Sequence, residues 1–329
     1  MFFLETLFVL NNYLHSSIKF PMEEIYQKTL SKKVSFSGIG LHSGKFAKVD
    51  VLPAEANKGI VFKRVDLIKN NLIKANYKNV SSAKLCTTLE NRYGKKVSTV
   101  EHLLAAFYIA GIDNALVEIN NEEVPIMDGS SKDFLNILEN DALIVQSEKR
   151  KYLKILNKVE LIDGKRKISI EPNNSSLNVN FQLCYNNKII GNQKNIVDFQ
   201  KDKLNEVSSS RTFCLYEDIE KIKKFGLAKG GSLENAVVVD NNKILNEGGL
   251  RNEKEFVNHK ILDLAGDFLL SEHRILGNVE CHQGGHELTN LFLRKVFNQN
   301  NAFEFVEQKD FKISEKFSSQ ELGKLAVNA

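Results

Sequence analysis

What most constrains this chain is an order of patterns that occurs twice along its 329 residues: strand-like segments first, a helix-like segment later. From Thr29 to about Val80, KKVSFSGIGL, FAKVDVLPA and GIVFKRVDL read as strands, separated by Gly, Pro and Asn. Ser98 or Thr99 then offers an N-cap for the helix VEHLLAAFYIA, which Gly111 ends. NALVEIN follows as a strand, Met127 to Ser130 as a turn, and Lys132 to Glu139 as a short helix. The polar run QSEKRK at 146–151 marks a boundary. Beyond it YLKILNKVELI and KISIEP restart the sheet pattern, and a long amphipathic helix runs from Glu253 to about Ser271. The second half thus repeats the first in outline, without a residue-level repeat.

Composition narrows the function. With 42% hydrophobic and 26% charged residues the chain can bury a core in two domains of roughly 100–200 residues. Forty-five basic against 41 acidic residues leave +4, too little and too evenly spread to indicate a nucleic-acid surface. Cys86, Cys184, Cys214 and Cys281 form no C-x-x-C pair, which suggests neither a disulfide framework nor a thiolate zinc knuckle and fits a reducing cytoplasm. The apolar opening stretch is interrupted by Glu5 and lacks both a basic start and a small-residue cleavage site. It is also too short for a membrane-spanning helix, which needs about 20 apolar residues. Residues 1–21 therefore read as an extension, with peripheral membrane contact as the other reading, and folding begins near Met22. The stretch after Asn298, rich in Lys, Glu, Gln and Ser, reads as a loosely attached tail.

Three segments hold residues suited to chemistry. In NEKEFVNHKILDLAGDFLLSEHR, His259, Asp263 and Asp267 recur every four residues and so share one helical face. Buried, such a stripe must be paired, solvated or bound to a metal; otherwise it is the solvent face of an amphipathic helix. In TVEHLLAA, Glu101 and His102 are neighbours whose side chains diverge by roughly 100°. One can ligate a metal while the other reaches water; helix-dipole stabilisation by Glu101 is the alternative. In CHQGGHELTN, Gly284 and Gly285 free the backbone before His286, with His282 as a possible decoy and an incidental histidine in a glycine turn as the alternative. His102, His259 and Asp263 would supply the two imidazoles and one carboxylate of a catalytic zinc site with an open fourth position, a set that also suits Fe(II).

Together the motifs resemble the UDP-3-O-acyl-N-acetylglucosamine deacetylase family over about residues 25–297. Seven segments agree in order: SGIGLHSGK at 37–45, TVEHLLAA at 99–106, GIDNALVEI with VPIMDGSS at 111–131, SRTFCLYEDI at 210–219, GLAKGGSLENAVVVD at 226–240, LRNEKEFVNHKILDLAGD at 250–267 and GGHELTN at 284–290.

The resemblance implies an α+β fold of two similar domains, ribosomal protein S5 domain 2-like, each a sheet packed on helices, with the active site at their interface. On this chain the domains would cover 22–148 and 149–298. It implies zinc on His102, His259 and Asp263, Glu101 as general base, His286 as general acid or electrostatic partner, Thr212 at the oxyanion and Asp267 orienting and charge-stabilising His286. Lys260 would face the substrate diphosphate or nearby sugar oxygens. An insert at about 211–235 would form the passage for the 3-O-acyl chain, lined by Phe213, Ile219 and Leu233. The implied reaction is hydrolysis of the N-acetyl group in the committed step of lipid A synthesis. Many relatives carry Lys where this chain has Gln283, which removes one possible phosphate contact. Another zinc amidase with the same donors and a non-catalytic binding protein on the same fold are the rival classes, and the intact donor, base and acid set argues against the binder.

Overall fold

The computed structural model describes residues 25–139 and 143–307, so the extension at 1–21 and the tail beyond 307 lie outside the described residues. The fold is α+β. Among the described residues the α-helices are α1 (Glu101–Ala110), α2 (Lys132–Glu139), α3 (Asn205–Ser208), α4 (Tyr216–Lys224), α5 (Glu255–Leu269) and α6 (His286–Asn298).

A five-stranded sheet runs in the order Val34–Ile39, Phe46–Pro53, Ala115–Ile119, Ile60–Arg64, Leu72–Lys74. Its neighbours are antiparallel except Ala115–Ile119 beside Ile60–Arg64. A seven-stranded sheet is built around Arg274–His282, flanked by Arg166–Pro172, Lys151–Ile155 and Leu177–Cys184. In each sheet the central strand directly follows a buried helix, α1 in the first case and α5 in the second.

Buried aromatics hold these layers together: Phe62, Phe107, Phe134, Phe181, Phe256, Phe268 and Phe292 are all fully enclosed. Each contributes about 1.5–3 kcal/mol by leaving water. Every residue of α5 except Lys260 is buried. Helices α1 and α5 meet almost backbone to backbone, because a Cβ on Gly266 would lie 2.1 Å from the carbonyl oxygen of Glu101. Gly266 costs helix propensity, about 1 kcal/mol relative to Ala, and in return admits the first turn of α1. That close approach sets Glu101 and His102 against the polar stripe of α5.

Some local expectations change. Helix α1 ends at Gly111 as expected, with φ 83°, the left-handed conformation glycine adopts freely. Its start has no side-chain cap. Thr99, at φ 56°, instead donates its hydroxyl to Glu123 at 2.9 Å. The polar run at 146–151 is largely strand, since Leu143–Lys149 pairs antiparallel with Tyr26–Leu30 in a separate two-stranded sheet. Likewise Phe303–Glu307 lies antiparallel to Lys151–Ile155 at the sheet edge, so the chain is anchored beyond Asn298. Edge strands with one wet face accept polar residues, which is why the sequence reads as a boundary at the first and a loose tail at the second. The region 211–235 contains strand Phe213–Leu215 and α4, and the strand joins Val237–Asp240 and Lys243–Ile244 in a three-stranded sheet. Among the described residues no helix is long and apolar enough to cross a membrane.

Candidate active site

His102 from α1 and His259 and Asp263 from α5 place one donor atom each within 4.8 Å of one another, all three buried. The two imidazole rings meet edge to face, centroids 5.1 Å apart. Asp263 Oδ1 is 3.5 Å from His102 Nε2, and Asp263 Oδ2 is 3.4 Å from His259 Nε2. These gaps are long for hydrogen bonds. They match the separation of about 3.3–3.4 Å between two donors each about 2.0–2.1 Å from a tetrahedral ion. Buried Asp263 Oδ1, on the side facing these imidazoles, has no hydrogen-bond partner, so the donor set fits a divalent cation.

The protonation states agree. His259 Nδ1 lies 3.1 Å from the carbonyl oxygen of Ser210 and donates to it, which leaves the Nε2 lone pair for the ion. Burial pushes His259 down to about 3, so its ring is neutral. Burial alone would raise Asp263, but the positive charges of Lys260 and His286 beside it prevail and hold its carboxyl well below the usual range.

A second group stands beside the first. His286, the first residue of α6, directs Nε2 to within 3.6 Å of Glu101 Oε1 and 3.8 Å of Asp263 Oδ2, while Nδ1 donates to Asp267 Oδ2 at 2.8 Å. Burial opposes its charge, yet the carboxylates of Asp267, Asp263 and Glu101 together raise it to about 10. Burial raises Glu101, with the positive charge of His286 pulling the other way. His286 is therefore held in its charged form.

The glycines before His286 act differently from the expectation. Gly285 has φ −180°, extended backbone open to any residue. A Cβ on Gly284 would come within 2.3 Å of Cys281 Sγ, so it is space that requires glycine there. Gln283 carries φ 54° and donates Nε2 to the carbonyl of Cys184. His282 closes the strand Arg274–His282 and lies outside the group.

Thr212, Phe213, Ile219 and Leu233 line one cavity of about 400 Å³, together with Leu41 and Leu85. Phe213 links this cavity to the donor set, its ring lying edge-on to Phe256 at 4.9 Å and to His259 at 6.2 Å. Lys260 Nζ bonds Asp263 Oδ2 at 2.8 Å, an i,i+3 ion pair with a donor residue, and sits 5.5 Å over the Phe213 ring. A larger cavity of about 810 Å³, beside Lys188, Tyr216 and Asp240, carries none of the site groups.

Two residues went unremarked in the sequence. His42 lines the 400 Å³ cavity with Nε2 buried and unpartnered, its backbone N–H held by Glu123 at 2.7 Å. Thr87 donates its backbone N–H to Glu101 Oε2 at 3.0 Å and its hydroxyl to Asp267 Oδ1 at 2.6 Å. His42 lay in a quoted motif, SGIGLHSGK; Thr87 carried no local signal.

An α+β chain that gathers two imidazoles and a carboxylate beside a buried glutamate and a charged histidine is built as a metal-dependent hydrolase. Residues 27–298 match the LpxC family, UDP-3-O-acyl N-acetylglycosamine deacetylase. Proteins named UDP-3-O-acyl-N-acetylglucosamine deacetylase share this extent. The one from Citrifermentans bemidjiense is 40% identical over 284 residues, 86% of this chain and 92% of its own length. That of Haemophilus ducreyi is 39% identical over 289 residues, 87% and 94%. A Shewanella protein is 40% identical over 298 residues, 89% and 97%. The chain belongs to this deacetylase family.

Proposed function

We propose that this chain hydrolyses the N-acetyl amide of UDP-3-O-acyl-N-acetylglucosamine, giving acetate and the free amine of UDP-3-O-acyl-glucosamine, in lipid A biosynthesis. The observation that carries this reading is the position of His286 Nε2, 3.6 Å from Glu101 and 3.8 Å from Asp263, which sets an acid and a base on the rim of the donor set. His102, His259 and Asp263 would hold Zn²⁺, with Fe²⁺ suited to the same donors. Such an ion supplies Lewis acidity toward the acetyl carbonyl and toward water.

The protein's own groups do the rest. Glu101 takes a proton from the attacking water at its carboxylate. The Thr212 hydroxyl donates to the oxygen that becomes negative as the carbonyl carbon turns tetrahedral; one such donor is worth about 2.7–4 kcal/mol. His286, kept charged by Asp267, offsets that charge and gives its Nε2 proton to the sugar nitrogen as the C–N bond breaks. The cavity lined by Phe213, Ile219 and Leu233 would take the 3-O-acyl chain, and Lys260 would present its ammonium to the diphosphate.

The architecture supports a two-domain reading, with domains at 22–148 and 149–298 and the site between them. Glu101 and His102 come from the first half and the remaining groups from the second. The four cysteines are free, in keeping with a cytoplasmic enzyme. Acetate release from UDP-3-O-acyl-N-acetylglucosamine tests the proposal: turnover should vanish with a chelator and return with Zn²⁺. It should fall sharply for substrates lacking the UDP or the 3-O-acyl group. Absence of turnover on the full substrate, or equal turnover on the truncated ones, would overturn it.

A further inference from the structure

We infer that Thr87 is a positioning residue that fixes the base and the acid arms of the site against each other. The inference rests on the proposed deacetylase reading. Thr87 is 1% exposed and lies in the loop between strands Val80–Ser82 and Thr88–Glu90, far in sequence from the residues it serves. Its carbonyl accepts the Val100 N–H at 3.4 Å, which docks the loop on the start of α1. From there its backbone N–H reaches Glu101 Oε2, leaving Oε1 toward His286. Its hydroxyl reaches Asp267 Oδ1, while Asp267 Oδ2 takes His286 Nδ1. Among the described residues each oxygen of Asp267 thus has one hydrogen-bond partner, and Thr87 supplies one of them.

A carboxylate held at both oxygens has a fixed plane, and the imidazole bonded to it has a fixed direction. Asp267 also sits in the last turn of α5, where the helix dipole disfavours an anion, so its plane depends on these two donors. Without the hydroxyl, Oδ1 becomes a buried acceptor with no donor, and the carboxylate can rotate away from the orientation that aims Nε2 of His286 between Glu101 and Asp263.

The test compares Thr87→Val, which keeps the shape and loses the hydroxyl, with Thr87→Ser, which keeps the hydroxyl and loses the methyl. Acetate release should show kcat lowered about 10–100-fold in Thr87→Val, the usual span for removing a group that orients a site residue. KM and metal content should stay unchanged, and Thr87→Ser should retain most of kcat. In an Asp267→Asn background Thr87→Val should add no further loss, because the hydroxyl acts through that carboxylate. If Thr87→Val does not fold, Thr87→Ala removes the same donor. Wild-type kcat in the Val variant, an equal loss in the Ser variant, or losses that add with Asp267→Asn would each overturn the inference. The ring N–H proton resonance of His286, which reads its bond to Asp267 without any turnover, should move in Thr87→Val and stay in Thr87→Ser. An unmoved resonance contradicts the role of Thr87, whereas a wild-type enzyme that releases no acetate contradicts the deacetylase reading alone.

Discussion

Helices α1 and α5 both bury charged side chains, and they do so by opposite geometries. On α5, His259, Asp263 and Asp267 are spaced four apart and stack along one face. On α1, Glu101 and His102 are adjacent and diverge, so His102 turns to Asp263 and Glu101 to His286. On the proposed reading the stack would build a column of two metal donors with an orienting carboxylate beyond them, whereas the divergent pair would divide two tasks. The helix ends differ as well. Glu101 lies in the first turn of α1, where the dipole favours an anion, and Asp267 lies in the last turn of α5, where it does not. Asp267 accordingly relies on Thr87 and His286.

The largest effect should come from removing donors of the stack. Asp263→Ala or His259→Ala should deplete the metal in elemental analysis and abolish acetate release while leaving the fold intact; full occupancy with normal turnover would break the assignment. Removing one task of the divergent pair should cost less. Glu101→Ala should slow turnover by about 10²–10⁴-fold with the metal retained, and His286→Ala should do likewise. Loss of metal in Glu101→Ala would mean that the two tasks on α1 are not separate.

The orienting end of the stack should show itself in pH. His286 is raised to about 10, so its acid form is present below that value and is lost as pH rises through it. A divalent charge beside Asp263 takes up part of the same anionic field, which brings the falling limb of the rate below 10. Asp267→Asn removes a neighbouring anion, lowers the imidazole pKa and should move that limb to lower pH. An unmoved limb would transfer the acid role to another group. The smallest effect is expected for deletion of residues 1–21, which should leave soluble, active protein in a size-exclusion and turnover assay.

How legible each part was follows the range of its contacts. The α5 stripe, the Glu101-His102 pair and the Gly111 stop are set by neighbours within one or two helical turns, so spacing in the sequence displays them. Thr87 meets Asp267 across 180 positions, and His42 reaches the 400 Å³ cavity through a loop bonded to Glu123, 81 positions away. No local pattern encodes such pairings. Gly266 is a helix-weakening residue until the Glu101 carbonyl is seen against it. Thr99 has the chemistry of an N-cap, but Val100 holds the cap position and Thr99, one residue outside it, donates its hydroxyl to Glu123. The strands Leu143–Lys149 and Phe303–Glu307 hid behind polar side chains that an edge position tolerates.

One site assembled from both helices is the central claim, and the location of the bound ion tests it most directly. Anomalous diffraction at the zinc edge from crystals of the metal-loaded protein should show one ion per chain, about 2.0–2.2 Å from a donor atom of each of His102, His259 and Asp263. An ion held by α5 alone with His102 turned away, or one bound elsewhere in the chain, would contradict it.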